Sequence, residues 1–449
     1  MTNQQKGRQL SLAEKVDPAH TALVVVDMQN DFCHPDGYHG RNCDDLSMMP
    51  GAIANMRRLV LTARQAGALI VWVRATYDEV VLGEPLAEVL SKGGTSPVRC
   101  AEGSWGADFL DELRPLDAPN EIVLTKHRFS AFWDTEIDLT LRSNGIRSVV
   151  VAGVITSGCV ESTARDAYFR NYYVVLPGDA SGSYSRERHD AALRKLALTF
   201  GVVTQTDDVA RLWSHAAAGP RGWQLDAKRA QVLHTLEQLT DPAHAALVIV
   251  DMQNDFCHPD GLMGKRGEDL SHNRTIIATI ARLLESARKA GVMVVHVQAQ
   301  YGNGSGTPSW LFSADDSKTT LHICLPGSWG AQQVDELAPE DGEPIVVKHR
   351  YSAFIDTALE LLLRSNGIRS LVVTGTATQA CVESTVRDAK MLDYYVTVPR
   401  DGVGARARHR HMHDASLEAM GTYFATITDA DAVTALWDGS NARSARAAE

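Results

Sequence analysis

DPAHTALVVVDMQNDFCHPDG, which spans residues 17–37, returns at residues 241–261 as DPAHAALVIVDMQNDFCHPDG, with two differences. At its centre, TALVVV (21–26) is a short, uninterrupted apolar run rich in valine, which is typical of a parallel strand covered on both faces. Asp27 follows this run in the first copy, and Asp251 follows it in the second. The stretch therefore predicts a buried parallel strand, twice, with a carboxylate at its carboxyl end each time.

Other segments repeat at nearly the same spacing, so the chain is a duplication. GSWGA returns 224 residues later; the segments that return after 222 residues are KHRFSAF (126–132, as KHRYSAF), SNGIRS (143–148) and CVEST (159–163). A period of this length is a complete domain and not a solenoid unit. The segment SHAAAGPRGW contains Gly and Pro and suits a linker. We therefore expect one domain at residues 1–218 and a second at residues 219–449.

Within each half, strand-like and helix-like segments alternate. Further apolar runs follow the first strand as ALIVWVRA (68–75), EIVLTK (121–126) and SVVVAGV (148–154). Between them, AIANMRRLVLTARQAG (52–67) reads as a helix that ends in a glycine. This alternation predicts an α/β fold of two tandem, doubly wound parallel-sheet domains with right-handed crossovers. In such sheets, ligands bind beyond the carboxyl ends of the strands.

The composition excludes several classes of protein. The chain has 449 residues, 44% hydrophobic and 22% charged, as expected of a globular protein with two domains. A formal net charge of −11 argues against a nucleic-acid-binding surface, which must neutralise phosphates. The polar N-terminus carries no secretory signal, and no apolar run approaches the roughly 18 residues that a membrane span needs. Seven cysteines without a C-x-x-C pair favour free thiols in a reducing compartment, so we expect a cytoplasmic protein.

Three reactive side chains follow strands at the predicted ligand-binding edge. They are Asp27, Lys126 and Cys159 in the first half, and Asp251, Lys348 and Cys381 in the second. Each cysteine precedes a helical stretch, whose dipole, together with the lysine, should lower the pKa of the thiol and supply thiolate near neutral pH. A carboxylate can take the thiol proton and later deliver it to a leaving amine. Backbone N–H groups in the turn before the cysteine, and at the cysteine itself, could stabilise an oxyanion.

Each of these side chains has an ordinary structural explanation when it is taken alone. A cysteine after a strand is usually a small buried residue, an aspartate at a strand end is commonly a turn residue, and a lysine usually lies on the surface. Their joint occurrence at three strand ends of one α/β unit, in both halves, favours a catalytic set for acyl transfer.

These residues resemble the isochorismatase-like cysteine hydrolases, a family that includes nicotinamidases, N-carbamoylsarcosine amidase and ureidoacrylate amidohydrolase. The resemblance covers nearly all of both halves and rests on VVVDMQNDF, GSWGA, KHRFSAF and GVITSGCVESTARDA in the first, and on VIVDMQNDF, GSWGA, KHRYSAF and GTATQACVESTVRDA in the second. It implies an Asp-Lys-Cys triad at the residues already named and cis peptide bonds at Val154–Ile155 and Thr376–Ala377. It also implies an oxyanion hole formed by backbone N–H groups, those of Ile155, Cys159, Ala377 and Cys381.

Departures from the family pattern narrow the expected function. Nicotinamidases carry a metal site with an Asp-x-His element after the second strand, where this chain reads VRATYDEV and VQAQYGNG. His34, His39 and His258 lie near the first motif, but His39 is replaced by Met263 in the other half. We therefore expect no metal and no cofactor. A cysteine in both halves favours amide hydrolysis over the vinyl-ether cleavage of isochorismatases, which do not require a cysteine nucleophile.

Candidate substrate-binding residues lie on the second strand and in the loops around the triad. They are Trp72, Tyr77, Arg128, Phe129 and Phe132, with His296, Tyr301, Arg350, Tyr351 and Phe354 as their counterparts. The tyrosines either pack or contact substrate, the residues after each lysine either wall the pocket or belong to the core, and each arginine meets a substrate carboxylate or a structural acid. The equal-length loops before GSWG differ between the halves, and Arg74 becomes Gln298, which predicts two different substrate preferences.

The leading hypothesis is a hydrolase of a small linear amide, carbamoyl or ureido compound with two active domains. The alternatives are an isochorismatase-type ether hydrolase, one catalytic domain with one structural or binding domain, and a scaffold whose triads are vestigial. We expect a small-molecule amide substrate as the partner, with no nucleic acid and no membrane. The halves should pair as an intramolecular pseudo-dimer, and further homo-oligomerisation stays open.

Overall fold

A computed structural model describes residues 9–78, 80–91, 96, 98–216, 232–301 and 322–448. These residues divide into two compact units, with the division between Val232 and Leu233. The predicted boundary at residues 218 and 219, and most of the divergent loop of the second half, lie outside the described residues. Among the helices that the structure describes, none combines the length and the apolar composition that crossing a membrane requires.

The first unit contains one parallel sheet. Its strands are β1 (Thr21–Val26), β2 (Leu69–Ala75), β3 (Glu121–Lys126), β4 (Ser148–Gly153), β5 (Tyr173–Pro177) and β6 (Val202–Thr204). They lie in the order β3-β2-β1-β4-β5-β6, and every pairing is parallel. The helices are α1 (Leu12–Lys15), α2 (Asn30–Cys33), α3 (Tyr38–Arg41), α4 (Met49–Ala66), α5 (Glu84–Leu90), α6 (Ile137–Ser143), α7 (Glu161–Phe169), α8 (Arg186–Thr199) and α9 (Thr206–Ser214).

The second unit repeats this sheet. Its strands are β7 (Ala245–Val250), β8 (Met293–Ala299), β9 (Ile345–Lys348), β10 (Ser370–Thr376), β11 (Tyr395–Pro399), β12 (Val403–Gly404) and β13 (Thr426–Thr428). The order is β9-β8-β7-β10-β11-β13, and β12 pairs with the end of β10. The helices are α10 (Leu236–Leu239), α11 (Asn254–Cys257), α12 (Leu262–Lys265), α13 (Ser271–Ala290), α14 (Leu359–Ser365), α15 (Glu383–Met391), α16 (Arg410–Tyr423) and α17 (Ala430–Ala448). The predicted fold, two tandem doubly wound parallel-sheet domains, is confirmed.

The apolar run of β1 is continuous because both faces of the sheet are covered. Leu23 and Val25 belong to one core cluster, which includes Met56 of α4. Val24 and Val26 belong to a second cluster on the other face. All six residues of β1 are buried, as are all six of β7. A central parallel strand without a solvent-facing side chain is the physical reason for the pattern that predicted it.

Helix α4 returns the chain from β1 to β2, and its ends follow the sequence signals. Pro50 lies in its first turn, and Gly67 ends it in the left-handed conformation with φ 65°, which glycine adopts without a steric penalty. Its buried residues recur at helical spacing, so one face packs on the sheet. The short loops after β1, β3 and β4 are thereby brought to one edge of the sheet, where the candidate catalytic residues lie.

Short helical segments of other types complete the two units. The 3-10 segments are Trp105–Ala107, Gly178–Ala180, Trp329–Ala331, Asp335–Leu337, Arg400–Gly402 and Ala407–His409. Two single-turn π-helices, Thr156–Val160 and Thr378–Val382, lead directly into α7 and α15. Each π-turn contains one of the candidate nucleophiles.

Candidate active site

The structure brings the three predicted catalytic side chains of the first half together at the carboxyl edge of the sheet. Lys126 Nζ lies 2.8 Å from Asp27 Oδ2 and 3.4 Å from Cys159 Sγ. All three side chains are buried. The lysine therefore bridges a carboxylate and a thiol inside one closed cluster.

The second half reproduces this geometry. Lys348 Nζ lies 2.8 Å from Asp251 Oδ2 and 3.3 Å from Cys381 Sγ. These residues are also buried. The repeated segments that carry the three groups therefore build nearly the same arrangement in both halves.

Both aspartates are held in an unusual backbone conformation. Asp27 has φ 52° and Asp251 has φ 53°, in the left-handed region that few non-glycine residues adopt. The Asp27 N–H donates to the carbonyl of Val73 in β2, and the Asp27 carbonyl accepts from the N–H of Gln29. The tight turn after β1 therefore aims the carboxylate along the sheet edge toward the lysine.

Burial sets the charge states of the cluster. It raises the pKa of Cys159 to about 12; the negative charge of Asp27 adds to the rise, and Lys126 opposes it. Burial alone would lower the pKa of Lys126, but the charges of Asp27 and Cys159 outweigh it and raise that pKa well above its usual range. Burial also raises the pKa of Asp27, against the pull of Lys126. The resting cluster is thus a protonated thiol beside an ion pair.

The expectation of a thiolate near neutral pH is therefore wrong for the resting protein. The pKa of Cys381 is raised to about 12 by burial and by the charge of Asp251, as in the first half. Removal from water and the adjacent carboxylate act on the thiol more strongly than the lysine does. Ionisation of the sulfur then has to accompany proton transfer to that carboxylate.

The turn that carries the nucleophile has the geometry that the family resemblance implied. The peptide bonds Val154–Ile155 and Thr376–Ala377 are cis, which confirms that prediction. Within the described residues, the backbone N–H groups of Ile155 and Ala377 donate no hydrogen bond. The turn is anchored from behind, because Thr156 N donates to Gly182 O at 2.8 Å and Thr156 Oγ1 lies 2.8 Å from His189 Nδ1.

Among the candidate substrate-binding residues, the two tyrosines lie beside the lysines. The ring centroid of Tyr77 is 5.8 Å from Lys126 Nζ, and its side chain is buried. Tyr301 is also buried, and burial raises its pKa well above the usual value, while the charge of Lys348 opposes the rise and that of Cys381 adds to it. The structure therefore brings both tyrosines into the neighbourhood of the triads.

Trp72 and His296 do not lie at the site, and the assignment of substrate contact to them is wrong. Trp72 is fully buried in the core and donates from Nε1 to Glu121 at 2.9 Å. Glu121 begins β3 and Lys126 ends it, so five residues, or about 16 Å of strand, separate the two. His296 is likewise fully buried, with Nε2 2.9 Å from Glu343. A side chain bonded at the amino end of the sheet cannot also reach the carboxyl edge.

The two arginines contribute their backbone to the site. The carbonyl oxygen of Arg128 accepts from Lys126 Nζ at 3.0 Å, and that of Arg350 accepts from Lys348 Nζ at 3.1 Å. The Arg128 guanidinium donates to the carbonyls of Val81 and His127. These contacts hold the lysine and the following loop in place. The guanidinium of Arg128 thus has a structural function here and not the carboxylate-binding function considered for it.

The aromatic residues after the lysines separate into exposed and packed positions. Phe129 and Tyr351 are 38% and 43% exposed. Phe132 belongs to the core cluster that contains Cys159, and Phe354 packs against the cluster that contains Cys381. Only the second residue of each pair therefore lies in the apolar surroundings of the nucleophile.

Histidines near the first motif have structural partners. His39 Nδ1 lies 2.8 Å from Asp44, and its ring stacks between Phe32 and Tyr184. His34 and His258 lie against the edges of tryptophan rings. Among the residues that the structure describes, no group of three or more His, Cys, Asp or Glu side chains could hold a metal ion.

Sequence reasoning missed a buried glutamine beside each triad. Gln29 donates from Nε2 to Ala75 O at 2.9 Å and to Ala107 O at 2.8 Å, and its Oε1 accepts from Ala75 N at 2.7 Å. Gln253 makes the equivalent three bonds. Since Ala75 pairs with Lys126 in the sheet, Gln29 connects the turn at Asp27 to the strand beside the lysine. Its recurrence within DMQNDF was the signal that could have revealed it.

The comparisons with known proteins agree with this architecture. A family model described as the isochorismatase domain matches residues 21–208 and again residues 245–432, which is most of the chain. The protein thus consists of two tandem copies of one hydrolase-type α/β domain. It belongs to the isochorismatase family.

Solved structures similar to this chain each match the length of one half. A cysteine hydrolase from Pseudomonas syringae pv. phaseolicola 1448A is 25% identical, with 45% of this chain and 96% of that chain covered and a TM-score of 0.40. N-carbamoylsarcosine amidase from Thermoplasma acidophilum is 29% identical, with 42% and 97% covered and a TM-score of 0.35. A nicotinamidase from Bacillus subtilis is 26% identical, with 41% and 99% covered and a TM-score of 0.35.

Proposed function

We propose that each half is a cysteine-dependent hydrolase that cleaves a small linear amide, carbamoyl or ureido C–N bond through a thioester acyl-enzyme. One observation carries this proposal: a buried lysine joins a carboxylate at 2.8 Å and a thiol at 3.4 or 3.3 Å, in both halves. The thiol is a nucleophile, the carboxylate a base, and the lysine a fixed positive charge.

In the first step, Cys159 Sγ attacks the carbonyl carbon and forms a C–S bond while the thiol proton passes to Asp27. A carboxylate whose pKa burial has raised is a stronger base, which suits this transfer. The N–H groups of Ile155 and Cys159 stabilise the developing oxyanion. The C–N bond then breaks as Asp27 returns the proton to the leaving nitrogen, which releases ammonia or an amine and leaves a thioester.

In the second step, Asp27 takes a proton from water, and the hydroxide attacks the thioester carbonyl. The C–S bond breaks, and the proton held by Asp27 returns to the sulfur. Lys126 keeps the carboxylate in place and stabilises the sulfur whenever it carries negative charge. In the second half, Asp251, Lys348 and Cys381 act in the same way, with the N–H groups of Ala377 and Cys381 at the oxyanion.

The double variant Cys159→Ala with Cys381→Ala tests this proposal. Ammonia release from a panel of primary amides, carbamoyl compounds, ureido compounds and maleamates should fall by at least about 10³-fold, because no acyl-enzyme can form. Cys33→Ala with Cys257→Ala is the matched control, since it removes two buried cysteines outside the triads. The control should keep most of the parent activity.

Undiminished amide turnover in the double variant would refute cysteine catalysis. If the parent protein hydrolyses a vinyl ether and the double variant still does so, the isochorismatase-type alternative is correct. If only one of the single variants Cys159→Ala and Cys381→Ala loses activity, one domain is catalytic and the other structural.

A further inference from the structure

The hydroxyl of Tyr77 is a buried polar group beside the triad of the first half. Tyr77 follows β2 at the carboxyl edge of the sheet, where its backbone forms an antiparallel bridge with Arg99. Its side chain is 2% exposed, and its ring faces Lys126 Nζ at 5.8 Å. The hydroxyl has no hydrogen-bond partner among the residues that the structure describes. Buried hydroxyls nearly always have one, so this position calls for a partner.

Lys126 is the nearest charged group, but it cannot accept the phenol proton. An ammonium group has N–H donors and no acceptor. Lys126 Nζ lies 2.8 Å from Asp27 Oδ2, 3.0 Å from Arg128 O and 3.4 Å from Cys159 Sγ. Among the described residues, the phenol proton is therefore held beside the reacting groups without an acceptor.

The phenol is a hydrogen-bond donor throughout the neutral pH range. Burial raises the pKa of Tyr77 far above its usual value, although Lys126 opposes the rise, and the charges of Cys159 and Asp27 add to it. A neutral phenol in such a place can donate its proton to an oxygen acceptor that enters the site. It faces the lysine side of the cluster, whereas the proposed oxyanion hole lies in the turn after β4.

We propose that Tyr77 Oη donates a hydrogen bond to a second oxygen acceptor of the substrate, distinct from the scissile carbonyl oxygen. This inference rests on the proposed function and deepens it by naming a substrate class: small amides that carry a further oxygen acceptor close to the scissile bond. A site with a buried donor rejects compounds that leave the donor unpaired, which makes Tyr77 a specificity-determining residue. Tyr301 holds the equivalent position and makes a further interaction of its own, so the inference concerns the first half.

The test uses the full chain with Cys381→Ala, so that the first half alone can turn over substrate. Succinamate and butyramide are the probes, since they have the same chain length and only succinamate carries a second acceptor. Tyr77→Phe should lower kcat/KM for succinamate about 10- to 100-fold and change that for butyramide less than about twofold. Its thermal midpoint should stay unchanged or rise, because an unpaired buried hydroxyl has been removed.

Tyr172→Phe is the matched control. Its hydroxyl is also in a largely buried residue of the first half but donates to Asp138 at 3.0 Å. This variant should lower the thermal midpoint and leave both kcat/KM values unchanged, the opposite pattern to Tyr77→Phe.

Two groups of results would overturn the inference. Equal losses on both probes, no loss on either, or faster turnover of butyramide than of succinamate before substitution would exclude a contact with a second acceptor. A midpoint for Tyr77→Phe that falls as far as that of Tyr172→Phe would show a structural hydroxyl, whatever the activity. Absence of any amide turnover by the Cys381→Ala parent contradicts the proposed function of the first half instead. The comparison of thermal midpoints still decides whether the hydroxyl is unpaired.

Discussion

At the scale of single residues, the most consequential property is the burial of the thiol. Cys159 is 3% exposed and lies against a carboxylate, so the neutral form of the sulfur is favoured. The positive charge of Lys126 reduces this effect without reversing it. Nucleophilicity is therefore generated only when a substrate is present to accept the sulfur as its proton moves to Asp27.

This charge state predicts slow alkylation of the resting protein at neutral pH. Because the pKa of Cys159 and of Cys381 is raised to about 12, the thiolate fraction falls as the pH is lowered from that value. Modification by iodoacetamide should therefore speed up by about tenfold per pH unit between pH 7 and 10. Mass spectrometry of the two active-site peptides measures these rates, with exposed Cys43 as the internal reference.

A rate at Cys159 that has already reached a plateau at pH 7 would contradict this assignment. It would mean that Lys126 and the start of α7 stabilise the thiolate more than burial and Asp27 oppose it.

At the scale of elements, the equivalent strands β2 and β8 fill the same core position with different chemistry. In β2, Trp72 packs edge-on against Phe109 with ring centroids 5.4 Å apart. In β8, His296 takes the place of the tryptophan, and Gln333 takes that of the phenylalanine, with Nε2 3.1 Å from His296 Nδ1. An apolar aromatic pair has thus been exchanged for a hydrogen-bonded pair as a unit.

Exchanging both residues together should lower the free energy of unfolding by less than the sum of the two single changes. His296→Trp alone leaves the amide of Gln333 without its hydrogen-bond partner, and Gln333→Phe alone does the same to His296 Nδ1. Each single change should destabilise the fold by about 1–3 kcal/mol. The double variant restores the pair seen in the first half. Its destabilisation should therefore be smaller than the summed destabilisation of the two single variants, by about 1 kcal/mol or more. Urea unfolding of the three variants measures this coupling.

If the destabilisation of the double variant equals the sum of the two single effects, the residues at positions 296 and 333 are energetically independent of each other. Turnover by the second half should survive the double variant, because neither residue lies at the carboxyl edge of the sheet. A change in substrate preference would instead restore the substrate-binding assignment that the structure overturned.

At the scale of the whole molecule, the two sites share a triad and differ beside it. Two residues after the glycine that anchors each nucleophile turn, the first half has Tyr184 and the second has Arg406. Tyr184 stacks on His39 at 4.3 Å, whereas Arg406 contacts Met263 Sδ and forms an ion pair with Glu268 at 3.1 Å. An aromatic contact at this position in one half thus corresponds to a charged one in the other.

This difference supports the prediction of two substrate preferences. The single variants Cys159→Ala and Cys381→Ala, each assayed on the same amide panel, should give distinct profiles of ammonia release. A charged contact that is present in one pocket alone suffices for roughly a hundredfold difference in kcat/KM between substrates. Identical profiles, each at about half of the parent rate, would show two copies of one site.

Much of this protein is determined by patterns along the chain. The duplication, the buried parallel strands and the strand-end positions of Asp27, Lys126 and Cys159 follow from repeats, apolar runs and residue types. Such patterns are reliable because a central strand of a doubly wound sheet has no face left for polar side chains, and because the ends of parallel strands meet at one edge. The cis peptide bonds came from family resemblance, since no local pattern distinguishes Val154–Ile155 from an ordinary peptide bond.

Tertiary structure alone decided what depends on distance and burial. The sequence placed Trp72 near the substrate because it lies on the second strand, but the partner that fixes its direction, Glu121, is 49 residues away. The same holds for Cys159, whose pKa is raised first by the loss of solvent and then by a carboxylate that follows another strand. It holds too for Tyr77, whose hydroxyl proton has no acceptor among the described residues because its charged neighbour, Lys126, can only donate. Pairing and solvation are properties of space and not of chain order, so they became visible only in the folded molecule.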